Sequence, residues 1–213
     1  GDALTVGNSN VAMGYLALSA DTQGDRAVAI GMNALASQNF TSSTDNYNIG
    51  IGYQAGFSVT TGVQNTLIGG LAGDAITDGG ENTAVGYNTL TTNTRSYYNV
   101  ALGNNALENH NITSVSGGYN VGVGNSAGGA LTTGIRNTIM GGLAGDALTD
   151  ADRNVALGYS ALSADTLGSR SVAIGTNALA VQNFSSATNT YNTAVGNDAG
   201  ASVTTGTLNT LIG

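Results

Sequence analysis

Asn154-Val155-Ala156-Leu157-Gly158-Tyr159-Ser160-Ala161-Leu162 is one of many near-copies of a single phrase. Asn99–Leu107 reads NVALGNNAL, Asn82–Leu90 reads NTAVGYNTL, and Asn10–Leu18 reads NVAMGYLAL. Aligning the chain on the glycine of this phrase gives Gly14, Gly31, Gly52, Gly69, Gly86, Gly103, Gly124, Gly141, Gly158, Gly175, Gly196 and Gly213. The steps between them run 17, 21, 17, 17 and then recur, so four units make a block of 72 residues. Gly1-Asp2-Ala3-Leu4-Thr5 returns at Gly73–Thr77 and at Gly145–Thr149. The chain is thus a single repeat array over residues 1–213, with blocks 1–72, 73–144 and 145–213 and no linker between them. Stopping in mid-motif, it reads as a piece of something longer.

A unit of 17 residues is too short for a helix pair. It suits one coil of a β-solenoid, with short strands joined by turns. Gly, Asn and Thr fill the units and are poor helix formers. The fold class expected is therefore all-β: a parallel β-roll or β-solenoid of about twelve short coils.

Between each Asn and its Gly lie three residues that alternate faces on a strand. The third is always large and apolar, from Met13 and Ile30 to Ile212. The middle one is Ala12, Ala29, Gly50, Leu67, Ala84, Ala101, Gly122, Ile139, Ala156, Ala173, Ala194 or Leu211, and is never polar. A strand apolar on both faces is buried on both. One face lines the coil, and the other needs a cover from outside. The middle residues, mostly small, are the subunit-interface candidates, with Leu67, Ile139 and Leu211 forming an apolar plug once per block. Two residues beyond the Gly the chain turns mostly polar, as at Asn33, Gln54, Asn88, Asn105 and Ser160. That half reads as an outer strand with one wet face.

Composition narrows the function. The chain has 33 Gly, no Pro, Cys or Trp, and only 8% charged residues. Its net charge of -8 disfavours nucleic acid and anionic membrane surfaces as partners. No apolar run is long enough to insert in a membrane. Without Cys, and with His110 as the single His, neither a His-based nucleophile nor a His/Cys zinc site can be assembled in one chain. His110 reads as an exposed loop residue, with Gln38 and Gln182 at the same place in the other blocks. Asp2, Asp74 and Asp146 each follow a Gly at a turn, where Asp caps its own backbone; a calcium ladder is the alternative, and the neighbouring acids are not repeated. Asp21 and Asp25 could form a glycosidase pair, yet one block later they become Asn93 and Tyr97. No catalytic, cofactor-binding or metal-binding residue is assigned, and the chain is not read as an enzyme.

The 21-residue units carry longer segments, Ser37–Tyr47, Asn109–Tyr119 and Val181–Tyr191. Each has an apolar residue at one place (Phe40, Ile112, Phe184) and ends in Tyr47, Tyr119 or Tyr191. Aromatic rings among Asn, Ser and Thr form a possible surface-binding loop for sugar, or else a satellite core that closes the longer turn.

Ser171-Val172-Ala173-Ile174-Gly175-Thr176-Asn177-Ala178 resembles the head repeats of trimeric autotransporter adhesins. Asn82–Leu90 and Asn65–Ala72 (NTLIGGLA) more closely resemble repeat tracts of bacteriophage tail fibres, as do the turns Thr60-Thr61-Gly62 and Thr204-Thr205-Gly206. The resemblance implies a homotrimer of parallel β-rolls whose strands face a three-fold axis. It implies a structural shaft or head segment of an extracellular fibre, on a virion tail or at a cell surface, projecting a receptor-binding tip. Two alternatives stand beside it: an adhesin head that binds a host-surface glycan or protein, and a monomeric solenoid filament.

Overall fold

The computed structural model describes residues 1–213 and contains no α-helix. The chain is all-β, a parallel β-solenoid of about twelve turns, divided into two compact units. The first comprises Gly1–Asn99 with Asn111–Gly117, and the second Val100–His110 with Gly118–Gly213. In the first, Val11–Met13, Val28–Ile30, Ile49–Ile51, Thr66–Ile68 and Thr83–Val85 are stacked strands. In the second, the stack is Val100–Leu102, Val121–Val123, Thr138–Met140, Val155–Leu157, Val172–Ile174, Thr193–Val195 and Thr210–Ile212. The pairs are parallel and in register, as in Ala156 against Ala173 and Leu157 against Ile174. Each 21-residue segment adds a parallel pair of two-residue strands: Gly24–Asp25 with Thr44–Asp45, Ser96–Tyr97 with Ser116–Gly117, and Gly168–Ser169 with Thr188–Asn189.

The two faces of the strand are the reverse of the sequence expectation. The middle residues point into the coil: Ala29, Leu67, Ala84, Ala101, Ile139, Ala156, Ala173 and Ala194 are all 0% exposed, and Gly50 and Gly122 are buried with them. Only Ala12 and Leu211, in the end coils, keep exposure. The large first and third residues point outward and stay half-exposed or exposed.

The second half of the coil is a run of turns, not a strand. Three columns hold a left-handed backbone: the residue before the Asn, the second after the Gly, and the fourth after the Gly, such as Arg153, Ser160 and Leu162. No Val, Ile or Thr occurs at any of these positions, because a β-branched side chain is a steric outlier at positive φ. Arg and Tyr predominate in the first column, and Asn, Ser, Leu and Gly in the other two.

Bulk inside the coil is traded between positions. Where the fourth residue after the anchor Gly is Leu, as at Leu35 and Leu107, the middle strand residue is Ala. Where it is Gly, a neighbour fills the space. A Cβ on Gly56 would lie 2.7 Å from Leu35 Cδ2 and 2.8 Å from Leu67 Cδ1. One on Gly73 would lie 2.7 Å from Leu67 Cδ2. Leu67 and Ile139 are therefore core side chains housed by glycines of their own and the preceding coil, not plugs on an external axis.

Asparagine sets the register. Asn48, Asn65, Asn82 and Asn99 in the first unit, and Asn120, Asn137 and Asn154 in the second, are all 0% exposed. Asn137 Nδ2 donates to Ala151 O at 2.8 Å, and its Oδ1 accepts the Asn154 N–H at 2.9 Å. The rung repeats in the neighbouring coils, where Asn120 Oδ1 accepts the Asn137 N–H. Ala27 breaks the column, and Asn46 repairs it: its Oδ1 accepts the Asn48 N–H at 2.8 Å while its amide donates to Asp25 O.

The anchor glycines lie at φ near +130°, with the next coil's carbonyl in the space of a side chain; at Gly103 a Cβ would meet Gly124 O at 2.6 Å. Gly103→Ala is expected to cost about 2–5 kcal/mol through backbone strain and overpacking. Asn104→Tyr, an exposed position where other coils carry Tyr15, Tyr53, Tyr87 and Tyr159, is expected to leave the melting temperature unchanged. Equal melting of the two variants contradicts this account.

Candidate functional site

The long segments are the places where the coil departs from its minimum, and they bring together most of the polar chemistry. In the first, Phe40 folds inward to 6% exposed, and in the third Phe184 does the same at 7%. Ile112 is half-buried. The tyrosines that close the segments point outward: Tyr47, Tyr119 and Tyr191 are each about half exposed. The six residues therefore do not form one binding surface. Phe40 and Phe184 close the turn, and the tyrosines pair with arginines, Arg26 over Tyr47 at 5.6 Å, Arg136 over Tyr119 at 6.0 Å and Arg170 over Tyr191 at 5.6 Å.

Under each segment sits a buried polar cluster. Asp21 is 0% exposed. Its Oδ1 accepts the Gly24 and Phe40 N–H groups, and its Oδ2 accepts the Gln38 amide at 2.6 Å. Gln38 Oε1 in turn accepts from Asn48 at 2.8 Å. Asp165, Gln182 and Asn192 repeat the arrangement in the second unit. Asp25 is tied to Ser43 and to the Asn8 N–H, and these bonds, led by Ser43, hold its carboxyl below the usual range. Asp21 and Asp25 thus spend their acceptors on the fold rather than facing a substrate.

Asp74 and Asp146 lie in turns, where burial pushes both carboxyls up against the opposing pull of local backbone N–H groups. Asp2, at the same place in the first coil, is exposed. No three His, Asp or Glu side chains converge as a ligand group.

His110 is fully buried, contrary to the reading of an exposed loop histidine. It occupies the place of Gln38 and Gln182, and its Nε2 lies 3.4 Å from Asn120 Nδ2. The orientation of that amide is fixed, because Asn120 Oδ1 takes the Asn137 N–H and Nδ2 also donates to Gly134 O. A donor therefore faces Nε2, which serves as acceptor just as the glutamine Oε1 does elsewhere. Protonation of Nε2 would set two donors against each other. Sequence reasoning missed this, although the alignment with two glutamines that the structure buries carried the signal.

The middle block's segment also forms a shallow cleft lined by Tyr97, Tyr98, Val115, Ser116 and Gly117. The subunit-interface candidates of the sequence reading, being the coil's own core, have no surface to offer except at Ala12 and Leu211 in the end coils. The residues on the outward strand face are others: Val155, Leu157, Val172 and Ile174 are all half-exposed.

Burial lowers the His110 pKa to about 4, with a hydrogen bond to the Thr132 backbone opposing the shift. The unfolded chain protonates His110 near pH 6.5 while the folded chain resists, so stability falls with pH below 6.5 until the folded group titrates. The expected loss is about 2 kcal/mol between pH 7 and 5, and about 3 kcal/mol by pH 4. His110→Gln, which writes in the residue of the other two blocks, is expected to remove this slope in urea unfolding. An unchanged slope contradicts the assignment.

Compared with protein-family models, curated proteins and solved structures, the chain has no match in any of the three.

Proposed function

We propose that this chain is a structural segment of a trimeric extracellular fibre, most like a phage tail fibre, which projects a receptor-binding tip. The observation that carries the reading is the outward face of the strands. In the first unit it bears Val28, Ile30, Ile49, Ile51, Thr66, Ile68, Thr83 and Val85, with no charged residue among them. In the second it runs from Val100 and Leu102 to Thr193 and Val195 in the same style. Exposed Tyr15, Met32, Tyr53, Tyr87 and Tyr159 stand beside it. A contiguous apolar face of this kind marks an interaction surface. Every coil presents the same pattern, so a second copy aligned in parallel meets it coil by coil. Closed symmetry with three copies is what the resemblance to tail fibres and adhesin heads adds.

The adhesin-head reading has one observation of its own, the exposed Tyr97–Tyr98–Val115 cleft. On either reading the work is binding and support, and no catalytic role is assigned. Placement outside the cell follows from the same proposal.

Sedimentation equilibrium tests it. Wild type is expected at the mass of three copies. Ile174→Asp puts a carboxylate into an apolar contact, where ionisation is opposed, and is expected to give folded monomers at neutral pH with partial reassembly in acid. Ala173→Asp, one residue away and turned into the core, is expected to lose the fold instead. A monomeric wild type overturns the trimer and favours a single-chain filament.

A further inference from the structure

The residue before the Asn position of each coil, which Ala27 and Ser171 occupy in two coils, turns outward from a left-handed backbone. In the first unit this column reads Ser9, Arg26, Tyr47, Gln64, Glu81 and Tyr98. In the second it reads Tyr119, Arg136, Arg153, Arg170, Tyr191 and Leu208. The backbone stacks these residues: Arg136 N–H donates to Gly118 O at 2.8 Å, Arg153 N–H to Ile135 O at 3.0 Å, and Arg170 N–H to Asp152 O at 2.9 Å. Three arginines therefore stand on consecutive coils.

Coil geometry does not call for arginine here, since Ser9, Gln64, Glu81 and Leu208 hold the same position at similar φ. Like charges on adjacent strands, spaced about 4.8 Å apart, oppose folding. Yet four of the five cations in a chain of net charge -8 lie in this column, three of them on these consecutive coils. Neutralisation is slight. Asp152 approaches Arg153 only to 3.9 Å, and its other oxygen accepts the Ile135 N–H. Neighbouring Asp150 takes the Thr133 hydroxyl. Arg136 and Arg170 have no carboxylate within ion-pair distance. Both outer guanidiniums are propped instead, Arg136 on Tyr119 and Arg170 on Tyr191, with Asn189 Oδ1 accepting Arg170 Nε at 2.9 Å. Arg136 and Arg153 are exposed, and Arg170 is half-exposed.

We propose that the Tyr119–Arg136–Arg153–Arg170–Tyr191 column binds a linear acidic polysaccharide that carries a carboxylate on successive sugars. The rise from one coil to the next is close to the length of one pyranose in an extended chain, so the column of guanidiniums keeps step with the run of carboxylates. The planar guanidinium fork fits a carboxylate in two-point contact, and pre-positioning of the outer pair reduces the ordering needed on binding. A polynucleotide fits less well, because it asks for free rings on which bases stack, and both rings here carry an arginine. The inference stands on the second unit of one chain and does not depend on the trimer.

Isothermal titration of the 213-residue chain with oligogalacturonate at low ionic strength tests it. Binding is expected, weakened at least about tenfold when the carboxylates are methyl-esterified, and by a similar factor in R136Q/R153E, with salt weakening it further. Those two substitutions install the residues that the column already carries as Gln64 and Glu81, so the melting temperature is expected to hold. If the variant fails to fold, the ester comparison on wild type decides alone. Absence of binding, equal affinity for the ester, equal affinity of a folded variant, or tighter binding of single-stranded DNA than of oligogalacturonate each overturns the proposal.

Discussion

A buried asparagine side chain has a carbonyl and two N–H groups to satisfy, and in this protein the next coil satisfies most of them. Asn137 can hold the Asn154 N–H and the Ala151 carbonyl together only if the neighbouring coil lies one step away in register. Leaving one such group buried and unmade costs about 1–3 kcal/mol, comparable to a whole buried aliphatic side chain. The ladder therefore fixes the register before the apolar residues are counted. The repair at Ala27, where Asn46 reaches in from the following turn, shows how closely that demand is kept.

Given the register, the interior becomes a problem of volume. Each coil has a few inward positions, and the block of four coils distributes bulk among them differently in each. Leu at the fourth place after the anchor Gly goes with Ala in the strand; Gly there goes with a large side chain reaching in from the same coil or an adjoining one. Polar residues are admitted at one inward position in two coils of the four, with partners supplied from the next coil and the long segment, as Asp21, Gln38 and Asn48 show. The period of 72 is thus a packing period, longer than the 17-residue period of the backbone.

The coil count, the parallel strands and the need for Gly at the corner were legible in the sequence, because spacing alone carries them. The direction of the strand was not. Ala and Ile are both apolar, and alternation says only that they face opposite ways; deciding which is inside required knowing that leucines such as Leu35 already fill the interior. Small residues were read as room for a partner's backbone, when they were room for the chain's own leucines. The turn half was misread as a strand because polar Asn33 and Gln54 look solvent-facing, whereas their more informative property is tolerance of positive φ. That signal was present as an absence of Val, Ile and Thr from three columns. His110 was misplaced for a related reason: a single histidine in a polar segment looks exposed until its two glutamine counterparts are seen to be buried.

The tie from Asp21 through Gln38 to Asn48 has a mechanical consequence. Most neighbouring coils in a unit are joined chiefly by backbone and asparagine bonds, which give way singly when a load peels the stack from an end. Here a carboxylate grips the next coil's amide, and that amide grips the coil beyond, so three coils share the strain. Asp165, Gln182 and Asn192 place a second such clamp in the other unit. Toughness under load is therefore uneven along the chain: stretches that ravel coil by coil alternate with stretches that yield together, and a tear begun in one is arrested at the next.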